Sequence, residues 1–449
     1  MGFKLSTLLL LLLAPVTQTA KADIGGSWEG KIFITPEVSL RLVLNVAAVP
    51  FPMVTMDSPD QGAYGIPMVV EHIGNDSLAV AAPKLGLTYR GALSNGSING
   101  QFTQGNLSLP LILTPKVELK RPQTPRPPFN YSVTDITFAS PQDGATLYGT
   151  LTKPTNADVD TPVAVLVSGS GLQNRDEEIF EHKPFAVIAH HLANNGIAAL
   201  RYDDRGFDAS KGLQPNATTL QNAIDAKGAI DFLKQQGFKN IGIIGHSEGG
   251  LIADILAAQG DVWAFVIEIG GPAVAGDSIL IFQNQFLLRD GNMPEEYVAM
   301  YLEAMRGLFQ SQKDIDPEPF DESQYEIFSE TSLANPVLAP LAQNLKQNFV
   351  DLPPWLRYFI NYNPAADLAK IKIPVLMIYG EKDTQVAPEL NVPGLENMPA
   401  NITVRTFTGL NHMMQHCETG KVQEYRDIEE TISPDVLDTI VNFIRSTTE

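Results

Sequence analysis

The chain has 449 residues and a formal charge of −20, spread along its length with no basic patch, which disfavours nucleic acid or anionic lipid as a partner. That length exceeds the usual span of one hydrophobic core, so two or three folding units are expected. A single cysteine, Cys417, excludes an internal disulfide and leaves core burial to supply stability.

Residues 1 to 22 read as a signal peptide. Lys4 precedes an apolar run from Leu8 to Leu13, and Ala20 and Ala22 suit cleavage before Asp23. The run is too short to cross a bilayer, so no stable membrane insertion is expected and the mature protein is placed in the periplasm or outside the cell. No cysteine follows the run, which excludes a lipid anchor at that point.

Residues 23 to 116 alternate short apolar runs with turn-rich breaks, among them Ser39 to Leu44, Pro67 to Val70, Ser77 to Val80 and Ser97 to Gly100. This predicts an antiparallel β barrel or sandwich, because half-apolar strands bury one face only by curling together. Arg121 to Pro128 holds four prolines in eight residues, so residues 117 to 130 are read as a stiff proline-rich linker.

Beyond it the pattern changes. Val163 to Val167, Ala198 to Tyr202, Ile241 to Ile244, Ala264 to Ile269 and Pro374 to Tyr379 are nearly continuous apolar runs, the mark of strands buried on both faces. Helical spacing lies between them at Phe185 to Asn194, Leu220 to Gln236 and Leu251 to Gln259. The order predicts an α/β fold of the doubly wound, mostly parallel type. It is divided into residues 131 to 273 and 366 to 449 by a helical cap over residues 274 to 365.

Gly245-His246-Ser247-Glu248-Gly249 follows one buried run and opens a helical one, the context of a nucleophile elbow in which a sharp turn exposes Ser247. A serine hydroxyl needs a base to take its proton and a carboxylate to hold that base, and in this fold both follow the nucleophile at later strand ends. Asp383 stands after the run ending at Tyr379, with Glu381 as its rival in the same loop, and His412 follows Ile402 to Phe407. His416 is read as a surface residue, and His246 as packing beneath the elbow. The oxyanion donors are assigned to the Glu248 backbone amide and to Ser170, with Gly171 in reserve. Of seven histidines only His190 and His191 are adjacent, without ligand spacing, so no metal or cofactor is assigned.

These motifs, with Ser168 to Glu177, Leu200 to Gly206, Pro354 to Phe359 and Gly380 to Val386, make residues 131 to 446 resemble the bacterial α/β-hydrolase carboxylesterases with a Gly-His-Ser-Glu-Gly-Gly elbow, relatives of the esterase D type. The resemblance implies hydrolysis of small carboxylic esters with short acyl chains through an acyl-enzyme intermediate. Trp355, Tyr358 and Phe359 are candidates for an acyl pocket, with plain core packing as the alternative. Ser168 stands where such relatives often carry histidine, and Phe207 to Ser210 depart from their usual sequence. Gly25 to Gly30 resembles the start of β domains appended to some exported hydrolases. Serine peptidase and acyltransferase chemistry stay open, as does a non-catalytic binding protein; oligomeric state is not legible.

Overall fold

The computed structural model describes residues 24–34, 39–47, 53–59, 63–117, 119–212, 217–313, 320–350, 352–395 and 398–448. The signal segment expected over residues 1 to 22 lies outside them. The chain divides into two compact units, Met1–Glu118 and Leu119–Glu449.

In the first unit eight strands run β1 (Gly26–Phe33), β2 (Ser39–Ala47), β3 (Met53–Ser58), β4 (Ala63–Ile73), β5 (Ser77–Ala82), β6 (Leu87–Ser94), β7 (Ser97–Gln104) and β8 (Leu107–Pro115). Each pairs antiparallel with the next, and β1 returns to β8 to close a barrel. Closure leaves no open sheet edge. The lumen is filled by Trp28, Leu44, Tyr89, Phe102, Leu111 and Leu113, and the Tyr89 hydroxyl donates to the carbonyls of Ile98 and Leu111. A Cβ at Gly30 would stand 2.1 Å from the Ile112 carbonyl oxygen, so only glycine permits the closing strands to approach there.

The second unit is built on β9 (Tyr131–Ala139), β10 (Thr146–Pro154), β11 (Val163–Val167), β12 (Ala198–Tyr202), β13 (Ile241–His246), β14 (Val266–Ile269), β15 (Val375–Gly380) and β16 (Ile402–Phe407). They form one sheet in the order β16-β15-β14-β13-β11-β12-β10-β9. The β9 and β10 pairings are antiparallel and the rest parallel. Helices α1 (Pro184–Asn194), α2 (Thr219–Gln235) and α3 (Glu248–Ala258) connect the early strands. Two apolar cores lie on the sheet faces, one including Leu200, Ile230 and Leu251, the other Phe185, Ile267 and Ile440.

Between β14 and β15 the chain builds a cap of α4 (Gly276–Asp290), α5 (Glu295–Ser311), α6 (Glu330–Ala334), α7 (Leu338–Phe349) and α8 (Pro354–Asn361). Tyr301, Met305, Phe309, Leu345 and Ile360 give it an apolar core of its own.

The proline-rich stretch behaves differently from a free linker. Arg121 donates to the carbonyls of Phe180, Arg426 and Ile428, and the Gln123 side chain bonds the backbone of Thr431 and Ile432. Proline supplies few backbone donors, so these two side chains fasten the stretch to the second unit.

Gly30→Ala is expected to lower the barrel's stability by about 1–3 kcal/mol through overpacking at the seam, read as an earlier thermal transition in the full chain.

Candidate active site

The sheet delivers its chemistry at the carboxyl ends of β13, β15 and β16. Ser247 follows β13 with φ 53° and ψ −121°, a region that non-glycine residues enter at a cost of about 1–3 kcal/mol. The surroundings hold it there. Its amide donates to the Ile269 carbonyl at 2.9 Å, and its own carbonyl accepts from Gly250. A Cβ at Gly245 would lie 2.1 Å from the Gly249 oxygen, and one at Gly249 2.1 Å from the Val167 oxygen. Strand and helix can therefore meet only through glycine at both positions.

Asp383 follows β15. Its Oδ1 accepts from the amides of Gln385 and Val386 at 2.8 Å, and its Oδ2 accepts from His412 Nδ1 at 2.7 Å. Both side chains are buried. A carboxylate so fixed holds the imidazole with Nε2 free to act as a base. Gly270 makes the pairing possible, since a Cβ there would stand 2.9 Å from the His412 ring. Asn411 shapes the loop by accepting from the amides of Met413 and Gln415.

Ser247 and His412 line one cavity of about 260 Å³, together with Ser170, Glu248, Trp355 and Phe359. Among the described residues no hydrogen bond joins Ser247 Oγ to His412 Nε2. Such contacts commonly tighten only when substrate arrives.

The neighbouring candidates sort themselves by their partners. Glu381 accepts from the Gly409 amide at 2.9 Å and so braces the turn ahead of the base. His416 is exposed and pairs with Glu430. His246 faces two acceptors, Glu177 Oε1 at 2.9 Å and the His412 carbonyl at 3.2 Å, and both bonds are satisfied together only by an imidazolium. Burial pushes this imidazole down, but the Glu177 carboxylate and the His412 carbonyl together outweigh it and hold it above the ordinary histidine value. His246 thus packs beneath the elbow and also ties Glu177 to the backbone of the base.

For the oxyanion, the Glu248 amide opens α3, where the first helical N–H groups lack intrahelical partners. In the loop after β11 the Gly169 amide is already taken by Glu177 Oε1 at 2.6 Å. Ser170 lines the same cavity as Ser247, whereas Gly171 lines a neighbouring one, which favours Ser170. Trp355 and Phe359 stack at 5.5 Å and both line the cavity. Tyr358 is not among the lining residues and stacks on Tyr362 instead, because positions four apart share a helix face and 358 lies off it. Arg175 is drawn to Asp203, Asp135 and Thr150, and Arg205 to Asp225 and Asp143, so both act as structural pins.

A family model described as X-Pro dipeptidyl-peptidase (S15 family) matches residues 143–417. The chain belongs to this family. It is 27% identical over 259 residues to Esterase EstD of Thermotoga maritima, covering 56% of this chain and 54% of that protein. It is 30% identical over 122 residues to an acyl transferase of Photobacterium leiognathi, covering 26% and 36%. The chain therefore spans about half the length of the first relative and about a third of the second. Among solved structures it resembles an esterase of Pyrococcus furiosus, at 14% identity and TM-score 0.42 over 71% of this chain and 94% of that one. A proline iminopeptidase of Mycobacterium smegmatis gives 15% and 0.43 over 70% and 99%.

Glu177 and Gly270 escaped sequence reading as site residues. Glu177 lies in a charged stretch with nothing to set it apart from its neighbours, and Gly270 matters only because two distant loops converge on it.

Three buried groups set the pH response of stability. Burial, then the Arg121 charge, push the His182 imidazole down to about 4 while it bonds Tyr425 and Thr431. A depressed histidine loses its stabilising effect as pH falls below its ordinary value near 6.5. Asp254 of α3 and Glu268 of β14 are fully buried side by side, and burial raises both carboxyls above their usual range. The unfolded chain ionises them first, so their effect on stability declines as pH rises. Thermal unfolding should therefore show an acid limb that flattens in His182→Gln and an alkaline limb that flattens in Glu268→Gln. Asp383→Asn should keep the fold by circular dichroism and lower kcat by about 10⁴-fold, because an amide stabilises the wrong imidazole tautomer.

Proposed function

We propose that the protein is an exported carboxylesterase that hydrolyses small esters with short acyl chains. In this reading Ser247 attacks the ester carbonyl, His412 takes the hydroxyl proton and passes it to the leaving alkoxide, and Asp383 stabilises the imidazolium between those steps. The Glu248 and Ser170 amides receive the negative charge on the former carbonyl oxygen. The released alcohol leaves an acyl group on Ser247 Oγ, and water activated by His412 then removes it as the carboxylic acid.

One observation carries the choice of ester over peptide. Peptidases that begin at a free amino terminus need an accessible carboxylate for the substrate ammonium, since a buried unpaired cation is costly. Of the two carboxylates lining this cavity, Glu248 is engaged by Ser170, Thr219 and Trp355, and Glu177 is paired through Oε1 with His246 and the Gly169 amide, which leaves only its buried Oε2. A neutral ester asks for no such partner. The cavity's size and apolar roof of Ile279, Leu280, Trp355 and Phe359 suit a small acyl group. Export is supported by the Lys4 and Leu8 to Leu13 pattern, and none of the described helices is long and apolar enough to cross a membrane.

The family description keeps a second reading, cleavage after an X-Pro dipeptide. Glu177 Oε2, buried and without a hydrogen-bond partner, is the group that such a substrate would have to reach.

The test compares p-nitrophenyl acetate, butyrate and octanoate with X-Pro p-nitroanilides on the full chain. The ester reading expects the acetate or butyrate to be fastest. Faster turnover of the anilides would replace it with the peptidase reading. Fluorophosphonate labelling, lost in Ser247→Ala, checks the nucleophile in either case.

A further inference from the structure

Glu248 contributes more than its amide. Its buried carboxylate accepts from three elements at once: Thr219 Oγ1 at the start of α2 at 2.6 Å, Ser170 Oγ in the loop after β11 at 2.7 Å, and Trp355 Nε1 of the cap helix α8 at 2.9 and 3.0 Å. Hydrogen bonds to a buried carboxylate are among the stronger ones a neutral donor can make. A cap side chain is thus tied directly to the residue that follows the nucleophile.

Trp355 also stands between two cavities. One, of about 260 Å³, holds Ser247 and His412. The other, of about 450 Å³, is lined by Gly171, Leu172, Asn222 and Pro353. Ser170 and Trp355 line both, and these are the two residues that Glu248 holds together. The leaving-group oxygen must face His412 to receive its proton, so the leaving group lies towards His412 and Val386. The acyl chain then runs the opposite way, past Ser170 to the indole.

We propose that Trp355, latched by Glu248, is the acyl-length stop of this enzyme, closing the chamber that holds Ser247 and withholding the neighbouring one from the acyl chain. The inference rests on the serine acyl-transfer reading above and adds the basis of its selectivity. Removing the indole joins the two spaces. Removing only its N–H leaves the plate in place but unlatched. Glutamine at 248 has one acceptor oxygen for three donors, so it turns an amide N–H towards one of them and loosens the same latch without changing its size.

The experiment measures labelling rates of Ser247 by methyl- and n-octylphosphonofluoridates, whose phosphorus substituent occupies the acyl position and whose reaction requires neither ester nor peptide turnover. Wild type should favour the methyl probe by more than about tenfold, the scale on which hydrophobic pockets discriminate size. Trp355→Ala should reverse the preference. Trp355→Phe and Glu248→Gln should move it in the same direction by a smaller factor, with circular dichroism confirming that each is folded. A wild-type preference that persists in folded Trp355→Ala, or in both milder variants if that one fails to fold, overturns the inference alone. Absence of labelling by either probe in wild type overturns it together with the serine hydrolase reading beneath it.

Discussion

The backbone at Ser247 is the constraint on which the rest depends. A serine at φ 53° is strained, and it persists because its amide is held by the end of β14 and because Gly245 and Gly249 let α3 press against β13 and the end of β11. The turn brings Ser247 and Glu248 to the same cavity and buries the Glu248 side chain. The residues proposed as nucleophile, oxyanion donor and latch therefore descend from one local distortion, which surrounding structure must continuously enforce.

Around that turn, carboxylates serve as internal ligands that join loops distant in sequence. Asp383 joins the loops after β15 and β16, Glu177 joins the β11 loop to His246, and Glu248 joins that loop to α2 and to the cap. Each accepts bonds from both backbone or hydroxyl donors and a ring N–H, so none is an isolated charge, and only Glu177 Oε2 is left without a partner. Only the buried Glu177 Oε2 is left for a cationic substrate, whereas a neutral ester needs no such partner, which is where the ester reading rests.

The cap is where the proposed acyl selectivity would reside. It has its own apolar core, Ile279 and Phe359 also join the core on the sheet face, and Trp355 reaches from the cap to Glu248. A cap joined to the elbow through such a bond can set the shape of the cavity beside Ser247.

Much was legible from local chemistry. Continuous apolar runs marked the central strands because burial on both faces leaves no polar alternation, and Ile402 to Phe407 was recovered residue for residue. Alternating runs indicated the antiparallel β unit, although the choice between barrel and sandwich waited on the pairing of β1 with β8. The antiparallel strands β9 and β10 carried no such signature: β9 is a mostly exposed edge strand, and β10, paired between β9 and β12, mixes threonine and glycine with leucine although its middle is buried. The proline-rich stretch was read as a stiff linker, its composition being silent about Arg121 and Gln123 finding carbonyls and amides some 300 residues away.

By itself the sequence determined the elbow and the carboxylate and imidazole at later strand ends, because each depends on residues adjacent in the chain and on a strand-to-helix rhythm. Tertiary structure decided that Glu381 braces a turn while Asp383 meets His412, that Tyr358 faces away while Trp355 and Phe359 roof the cavity, and that Glu177 and Gly270 belong to the site at all. The reason is physical. A side chain's role is set by the donors and acceptors that folding brings within about 3 Å of it, and those come from segments whose spacing along the chain carries no record of their meeting.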